Sequence, residues 1–410
     1  MRQTNRHITI SNRSSRMSWL LLSLLLLCLS ACSSSDDDNS QPTNPSKAPT
    51  QLYIYVYAPQ QAEPTRATYE GDVSAVNQEA TIYSMQIWVF THDTKKLIGY
   101  YSPTTLPGLS SAHPYEEFQL TIDEKYAETE VNSRENVDVY VLANVTPETC
   151  NVTLNETTTQ AQLEAAVMSK TNALDPFGMA TPVTSVPENV GLPMSGVLRD
   201  QPVTGSSPVL RLEESGGELA KVILRRTISK LRFAFSRETG SETLRINSIQ
   251  LNTEMIPLSE YLFMTDAQPY DRKTCHIGTE YDATTSNLLL DVAIPDVAER
   301  DDPAYYAWGN SELDPFHYEW LIEAAVSDGY LTQRTFYLRE SDKLLQGTIK
   351  YQIGEGEEQT TTFRMIDEGG FSRNHVWTVY AYQANAKLQV VVATVTAWRQ
   401  IEEEYDFYNW

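Results

Sequence analysis

Residues 51–57 read QLYIYVY, and this short stretch decides what kind of fold the chain adopts. Aliphatic side chains occupy every second position, at Leu52, Ile54 and Val56, and tyrosines occupy the positions after them. Successive side chains of a β-strand point to opposite faces. A strand here therefore buries the three aliphatic side chains on one face, and a shift by one residue would bury the tyrosines instead.

Short runs rich in Val, Ile, Tyr and Thr recur along the rest of the chain and are separated by turn residues, which is typical of antiparallel β proteins. One segment differs, because Thr159–Met168 has helical spacing and Thr159 and Gln162 are placed as a capping box. We predict a mostly β chain of antiparallel sandwiches. The further predicted strands are Ile82–Phe90, Val137–Ala143, Val222–Phe235, Leu244–Leu251, Asn287–Ile294, Leu331–Leu338, Thr348–Tyr351, His375–Tyr382 and Leu388–Ala397.

The N-terminal residues have the features of an export signal. Residues 1–16 carry four arginines and no acidic residue, and the leucine-rich stretch that follows is too short to span a bilayer core of ~30 Å. That stretch ends in Leu29-Ser30-Ala31-Cys32, where small residues before a cysteine fit a lipoprotein signal peptidase. We predict an exported lipoprotein, lipidated at Cys32. The alternative is an ordinary cleaved signal that ends at a cysteine by chance.

Charge and cysteine content limit the partners and the covalent structure. The formal net charge of −23 becomes −27 once residues 1–31, with their four arginines, are removed. Such an acidic surface repels nucleic acid, so no nucleic-acid partner is expected. Beyond Cys32 the sequence contains Cys150 and Cys275, which either form one disulfide or stay as two buried thiols.

The sequence lacks the common catalytic and metal-binding motifs. It has no CxxC, no GxSxG, no phosphate-binding loop and no HExxH pair of histidines. Cys275 and His276 are adjacent and would point to opposite faces of a strand, which argues against a nucleophile and its base. The four acidic residues within 296–302 are interpreted as a solvated loop and not as a calcium site. We predict no enzyme, no cofactor and no metal; carboxylates far apart in sequence leave glycoside hydrolysis open.

Two segments are predicted to have unusual environments. Residues 59–68 form a polar, proline-flanked loop that includes Arg66, and a protease would find exposed chain there. Near the other end, Leu388–Ala397 changes the parity of its apolar residues, which indicates a bulge or a strand covered on both faces. Beyond it, Ile401, Tyr405 and Phe407 fall on one side, and such large apolar side chains usually need a partner surface.

Five sequence blocks stand in a fixed order along nearly the whole exported chain. They are residues 82–90 (IYSMQIWVF), 139–145 (VYVLANV), 192–196 (LPMSG), 224–231 (LRRTISKL) and 373–377 (RNHVW), which leads to a last strand at Trp398. In this order they resemble the fimbrillins, the major and minor fimbrial subunits of Bacteroides-type bacteria, also known as type V pilins.

The resemblance implies two transthyretin-like β-sandwich domains and polymerisation by strand exchange. In that scheme an arginine-specific protease removes the lipidated N-terminus with the first strand, and a C-terminal strand of another subunit fills the vacated groove. For this sequence it implies a cut between Arg66 and Ala67 and the loss of Leu52, Ile54 and Val56. The candidate donor side chains are Leu388, Val390, Val392, Ile401, Tyr405 and Phe407.

The expected organisation follows from the export signal, the length and the resemblance. Residues 1–31 are the signal peptide, 32–50 a flexible tether, 51–66 the first strand with its cleavable loop, 67–214 an N-terminal β-sandwich and 215–410 a C-terminal one. Expected partners are other fimbrial subunits, the outer membrane through the lipid, the arginine-specific protease and a host or bacterial surface receptor. A second hypothesis is a surface-anchored adhesin, or a fimbrial anchor or tip lipoprotein, that does not polymerise.

Overall fold

A computed structural model describes residues 48–57, 79, 81–103, 115–145, 153–169, 186, 191–213, 220–251, 257–264, 275–281, 288–290, 292–299, 332–343, 345–364 and 372–397. In these residues the chain is mostly β with several mainly antiparallel sheets, as the sequence pattern predicted. The helices are α1 (Glu124–Glu128), α2 (Gln160–Glu164) and a 3-10 helix at Val131–Ser133. The strands are β1 (Gln51–Tyr57), β2 (Met85–Thr91), β3 (Leu97–Tyr101), β4 (Tyr115–Thr121), β5 (Val137–Ala143), β6 (Val167–Ser169), β7 (Met194–Gln201), β8 (Val203–Ser206), β9 (Val209–Leu212), β10 (Lys221–Ile223), β11 (Arg225–Arg226), β12 (Ser229–Arg237), β13 (Leu244–Leu251), β14 (Ser259–Tyr261), β15 (Leu288–Leu290), β16 (Thr332–Leu338), β17 (Gln346–Ile353), β18 (Gln359–Arg364), β19 (His375–Ala384) and β20 (Lys387–Ala397).

One hydrophobic core lies between two five-stranded sheets. The first, which we call the front sheet, contains β4, β1, β10, β9 and β8; the second, the back sheet, has the order β11-β7-β5-β2-β3. Strand β5 is buried along its whole length, because the outer face of the back sheet is also covered. Phe263, from the C-terminal half of the chain, packs edge to face on Tyr140 of β5 with ring centroids 5.3 Å apart.

A second hydrophobic core lies between two four-stranded sheets, with orders β16-β12-β19-β20 and β15-β13-β17-β18. Every apolar side chain on the inner face of β12 is buried, and Phe233 stacks edge to face with Phe336 and Phe363 from both sheets. The predicted domain boundary is at 214/215, but the first core also contains Val222, Leu224 and Ile228, together with Leu262, Phe263, Tyr337 and Val376 from later in the chain; the second core begins at Leu231. That boundary stays a prediction.

Two predicted elements differ from the structure. The capping box of Thr159 and Gln162 is present, but α2 ends at Glu164 and residues 167–169 form β6 instead of continuing the helix. They do so because β6 pairs with the distant strand β14, and tertiary pairing overrides weak helix propensity. The single strand predicted over Val222–Phe235 is divided among β10, β11 and β12, which belong to three different sheets.

Candidate functional site

Strand β1 holds the front sheet together. It is antiparallel to β4 over all seven of its residues, and on its other edge it is parallel to β9 at Gln51–Tyr53 and to β10 at Tyr55–Tyr57. Within the described residues, β4 forms a ladder with no strand except β1. The strand that opens the described fold therefore bridges pieces of the sheet that would otherwise be separate.

The inner face of β1 is fully buried, as its alternation predicted. Leu52, Ile54 and Val56 are each 0% exposed. Leu120 and Leu210 flank Leu52 from the two neighbouring strands, Phe118 stands beside Ile54, and Val222 stands beside Val56. Burial of each aliphatic side chain contributes roughly 1.5–3 kcal/mol, so β1 is a substantial part of this core.

The outer face of β1 is a row of three half-buried tyrosines with charged partners. The Arg211 guanidinium carbon lies 4.9 Å from the ring centroid of Tyr53, and the Lys221 ammonium lies 4.8 Å from that of Tyr57. Between them, the Tyr55 hydroxyl donates a short hydrogen bond to the Glu117 carboxylate. This bond, together with burial, raises the pKa of Tyr55, so its hydroxyl stays protonated and remains a donor.

An ion pair crosses the strand on this outer face. Arg211 Nη1 lies 3.8 Å from Glu117 Oε2. Arg211 belongs to β9 and Glu117 to β4, which flank β1 on opposite sides, so the pair spans the strand between Tyr53 and Tyr55. We call Arg211, Glu117 and Lys221 the outer clasp. It encloses β1 against the hydrophobic core beneath.

The outer clasp does not follow from the sequence pattern. A usable signal was present, because YEEFQLT at 115–121 alternates, with Phe118 and Leu120 on one face and Glu117 on the other. Yet no local pattern states that these strands flank β1. That pairing is a property of the tertiary fold.

The predicted lipidation and processing residues, Cys32, Arg66 and Ala67, lie outside the described residues. The first described residue after them is Glu79, which is 4% exposed. Its carboxylate accepts hydrogen bonds from Lys230 Nζ at 2.8 Å and from the Tyr337 hydroxyl at 2.5 Å. Burial opposes ionisation of Glu79, but the charges of Lys230 and Arg226 and the hydrogen bonds from Lys230 and Tyr337 together outweigh it, so the pKa is held below its usual range. This carboxylate therefore fixes the chain between the two cores downstream of Arg66.

The candidate donor residues fall into two groups. Leu388 is buried in the second core and Val390 is partly buried against it. Val392 lies in β20, where the pairing with β19 shifts between Tyr380 and Ala381, so the change in apolar parity comes from a bulge. The other candidates, Ile401, Tyr405 and Phe407, lie outside the described residues.

The blocks that carry the family resemblance meet at one junction. The Asn144 side chain donates to the carbonyl oxygens of Thr81 (2.8 Å) and Leu192 (2.9 Å) and accepts from the Tyr83 backbone N–H (2.7 Å). Asn374 Oδ1 accepts from the Arg226 backbone N–H at 3.3 Å. Both asparagines have a φ of 57°, in the left-handed region that Asn tolerates better than most residues. These blocks therefore organise the chain between the two cores.

A buried charge cluster fastens β14 beside this junction. The Arg373 guanidinium pairs with the Glu340 carboxylate (Nε to Oε1, 2.8 Å) and donates to the carbonyl oxygens of Tyr261 (2.6 Å) and Leu262 (3.2 Å). Glu260 Oε2 accepts from the Glu340 backbone N–H at 3.2 Å. Burial raises the pKa of Glu260 to about 8, although the positive charge of Arg373 opposes this shift.

The side chains of Cys275 and His92 both have polar partners in the fold. The Cys275 thiol donates to the Ser341 carbonyl oxygen at 3.2 Å, and burial raises its pKa. Cys150 lies outside the described residues, so the choice between one disulfide and two thiols stays open. His92 Nδ1 lies 2.6 Å from Asp138, which Lys95 also contacts.

In the part of the chain that the structure describes, no three His, Cys, Asp or Glu side chains are grouped to hold a metal ion, and no helix is long and apolar enough to cross a membrane.

Comparisons with known proteins found similar structures but no similar sequence. No family model and no curated protein matches the chain. Among solved structures it is similar to the tip fimbrial protein Mfa3 of Porphyromonas gingivalis with a C-terminal truncation, at 13% identity and a TM-score of 0.49, covering 85% of this chain and 99% of that one. It is also similar to a putative cell adhesion protein of Parabacteroides distasonis, at 14% identity and a TM-score of 0.46, covering 86% and 98%. A fimbrial assembly protein of the same species is similar at 12% identity and a TM-score of 0.40, covering 85% and 99%.

Proposed function

We propose that this chain is a structural, non-enzymatic subunit of a cell-surface fimbria that supports adhesion. It is exported to the outer membrane as a lipoprotein through Cys32, cut after Arg66 and joined to other subunits by strand exchange. The observation that carries the proposal is the place of β1 in the front sheet. This strand is central and fully buried on one face, and residues 58–66 separate it from the proposed cut.

Loss of β1 leaves a groove that another strand can fill. Without β1, the described strand β4 has no ladder partner, and the inner faces of β4, β9 and β10 expose apolar side chains to water. A strand from a neighbouring subunit restores both the backbone hydrogen bonds and the burial, which is β-augmentation. Such a head-to-tail contact does not close on itself, so it extends as a filament.

The anchored position of Glu79 supports a clean separation of the two products of the cut. The ion pair to Lys230 and the hydrogen bond to Tyr337 hold the chain only thirteen residues beyond Arg66. Because these contacts lie downstream of the cut, the subunit keeps them when β1 departs. Cleavage after Arg66 therefore allows β1 to leave without loosening the junction between the cores.

Burial in β20 favours a donor from beyond Trp398. Leu388 and Val390 belong to the chain's own second core, and they would have to leave that core in order to enter a neighbour. Exposing a buried leucine costs roughly 1.5–3 kcal/mol before any gain. We therefore assign the donor role to the segment that carries Ile401, Tyr405 and Phe407.

The experiment is an Arg66→Lys variant treated with an arginine-specific protease beside the unaltered chain. The substitution keeps the charge and removes the arginine side chain that such a protease recognises. We expect the unaltered chain to yield a new N-terminus at Ala67 and filaments in electron micrographs, and the variant to stay monomeric. Equal filament formation by both proteins would refute this mechanism. An acylated Cys32 on the unaltered protein at the cell surface would instead favour the non-polymerising adhesin, anchor or tip subunit.

A further inference from the structure

The outer clasp restricts which strands can bind in the groove that β1 leaves between β4, β9 and β10. The inner face of the groove selects only for apolar side chains of suitable size, and many strands satisfy that condition. The outer face is more demanding, because each β1 tyrosine has its own charged partner from a different flanking strand: Arg211 from β9, Glu117 from β4 and Lys221 from β10.

We propose that the outer clasp reads the outward side chains of the incoming strand and thereby sets its register and identity. This inference rests on the proposed strand exchange and adds the partner's chemistry to it. The incoming strand carries a hydroxyl-bearing aromatic residue opposite Glu117, an aromatic residue beside Lys221, and an aromatic or acidic residue beside Arg211.

The central position contributes most to this selectivity. Glu117 is an acceptor-only carboxylate that accepts from the Tyr55 hydroxyl and also pairs with Arg211 at 3.8 Å. A strand without a donor at this position leaves the carboxylate with one partner fewer in a half-buried place. A strand shifted by one residue turns its aliphatic side chains toward the clasp, so all three contacts are lost together.

A second copy of this chain carries a segment that meets the conditions set by the outer clasp. In residues 405–410, YDFYNW, Tyr405 and Phe407 alternate with Asp406, Tyr408 and Trp410. With Phe407 in the place of Ile54, Tyr408 falls opposite Glu117 and Trp410 beside Lys221. On the inner face Tyr405 then takes the place of Leu52, and Asn409 is the one polar residue, in the place of Val56. Asp406 then falls beside Arg211, where an ion pair replaces the cation–π contact of Tyr53. The occupant of the groove is therefore residues 405–410 of a second subunit.

Peptide binding to the cleaved protein tests this inference. The protein is cut after Arg66, freed of its N-terminal fragment and titrated with a fluorescent peptide of residues 51–57 or of residues 403–410. We expect Tyr55→Phe in the first peptide and Tyr408→Phe in the second to weaken binding by about ten- to a hundredfold, since each removes a hydrogen bond to a carboxylate.

A protein with Glu117→Gln provides the matching half of a double-mutant cycle, and in it the hydroxyl should matter much less. Glu130→Gln is the control, because Glu130 is an exposed acid whose side chain caps no helix and which lies outside the front sheet. This variant has the same net charge as Glu117→Gln and should retain the full effect of the hydroxyl.

The outcomes separate this inference from the proposed function. The peptide of residues 51–57 could bind with an affinity that is independent of Tyr55 and of Glu117. In that case the groove accepts a strand but the outer clasp does not discriminate between strands, and the inference is wrong. If only that peptide senses Glu117 and the peptide of residues 403–410 does not, the assignment of the occupant is overturned. A cleaved protein that binds neither peptide refutes strand exchange itself.

Discussion

Replacing Ile54 by alanine tests the part that β1 plays in the uncleaved chain. The Ile54 side chain is 0% exposed and stands beside Phe118 at the centre of the strand. Truncation of a buried isoleucine removes its transfer free energy and leaves a cavity, and the two together usually cost 2–5 kcal/mol. We expect the free energy of unfolding of the core between the front and back sheets to fall by about 3 kcal/mol.

The assay is urea denaturation followed by the fluorescence of Trp88, which is fully buried in the same core. The matched control is Gln51→Ala on the same strand, because the Gln51 side chain makes an exposed hydrogen bond to Thr121 at 2.9 Å and its backbone hydrogen bonds do not depend on that side chain. Changes of that kind usually stay within about 0.5 kcal/mol. A loss below 1 kcal/mol for Ile54→Ala, or one equal to that of the control, would refute the idea that β1 is an integral strand of this core.

The same variant separates stability from polymerisation. A loss of about 3 kcal/mol corresponds to a roughly hundredfold shift toward release of the N-terminal fragment after the proposed cut at Arg66. Once the fragment has left, the variant and the unaltered protein are the same molecule from Ala67 onward. We therefore expect faster release, measured by gel filtration of the cleaved protein, with filaments of unchanged stability. Filaments weakened by Ile54→Ala would show that β1 is retained in the polymer.

Replacing Cys32 by alanine is expected to abolish lipidation and delivery to the outer membrane, measured by lipid labelling and fractionation; normal surface display of the variant would contradict this. A chain truncated after Trp398 is expected to fold, because its core strands remain, yet to fail to extend filaments after cleavage; a truncated protein that polymerises normally, or one that unfolds, would show that the tail packs within its own domain. Glu260→Gln tests the buried carboxyl whose pKa is raised to about 8. A raised acid pKa means that the folded state retains a proton that the unfolded state releases, so unaltered protein loses stability as the pH rises from about 4.5 to about 8. The Gln variant should lack this decline and be more stable than the unaltered protein by about 3–5 kcal/mol at pH 8.5, but not at pH 4, in denaturation curves; identical pH profiles would contradict the burial of an ionisable Glu260.

Local sequence patterns predicted individual elements well where the signal was short in range. The alternation in QLYIYVY identified β1 and its buried face, and the Thr159 and Gln162 capping box identified the start of α2. The change of parity near Val391 indicated a bulge or a strand covered on both faces, and β20 contains a bulge. Each of these features depends on residues within a few positions of one another, so the sequence carries it directly.

Local sequence patterns predicted strand boundaries less well where one run of apolar residues contributes strands to several sheets. Val222–Phe235 is apolar enough for one long strand, but its residues pair in turn with β1, with β7 and with β16 and β19. Similarly, α2 ends early because Val167–Ser169 is recruited by β14. The division of such a run into strands depends on partner strands far away in the chain. The spacing of apolar residues within the run carries no information about those partners.

By itself, then, the sequence determined that residues 51–57 form a strand with Leu52, Ile54 and Val56 on its buried face. The sequence also predicts a signal peptide and a tether before this strand. The tertiary structure alone decided that this strand lies between β4 on one side and β9 and β10 on the other, beneath an ion pair of Arg211 and Glu117. The physical reason is that side-chain alternation is set by the backbone of a single strand, whereas strand pairing is set by hydrogen bonds and packing among segments brought together only when the whole chain folds.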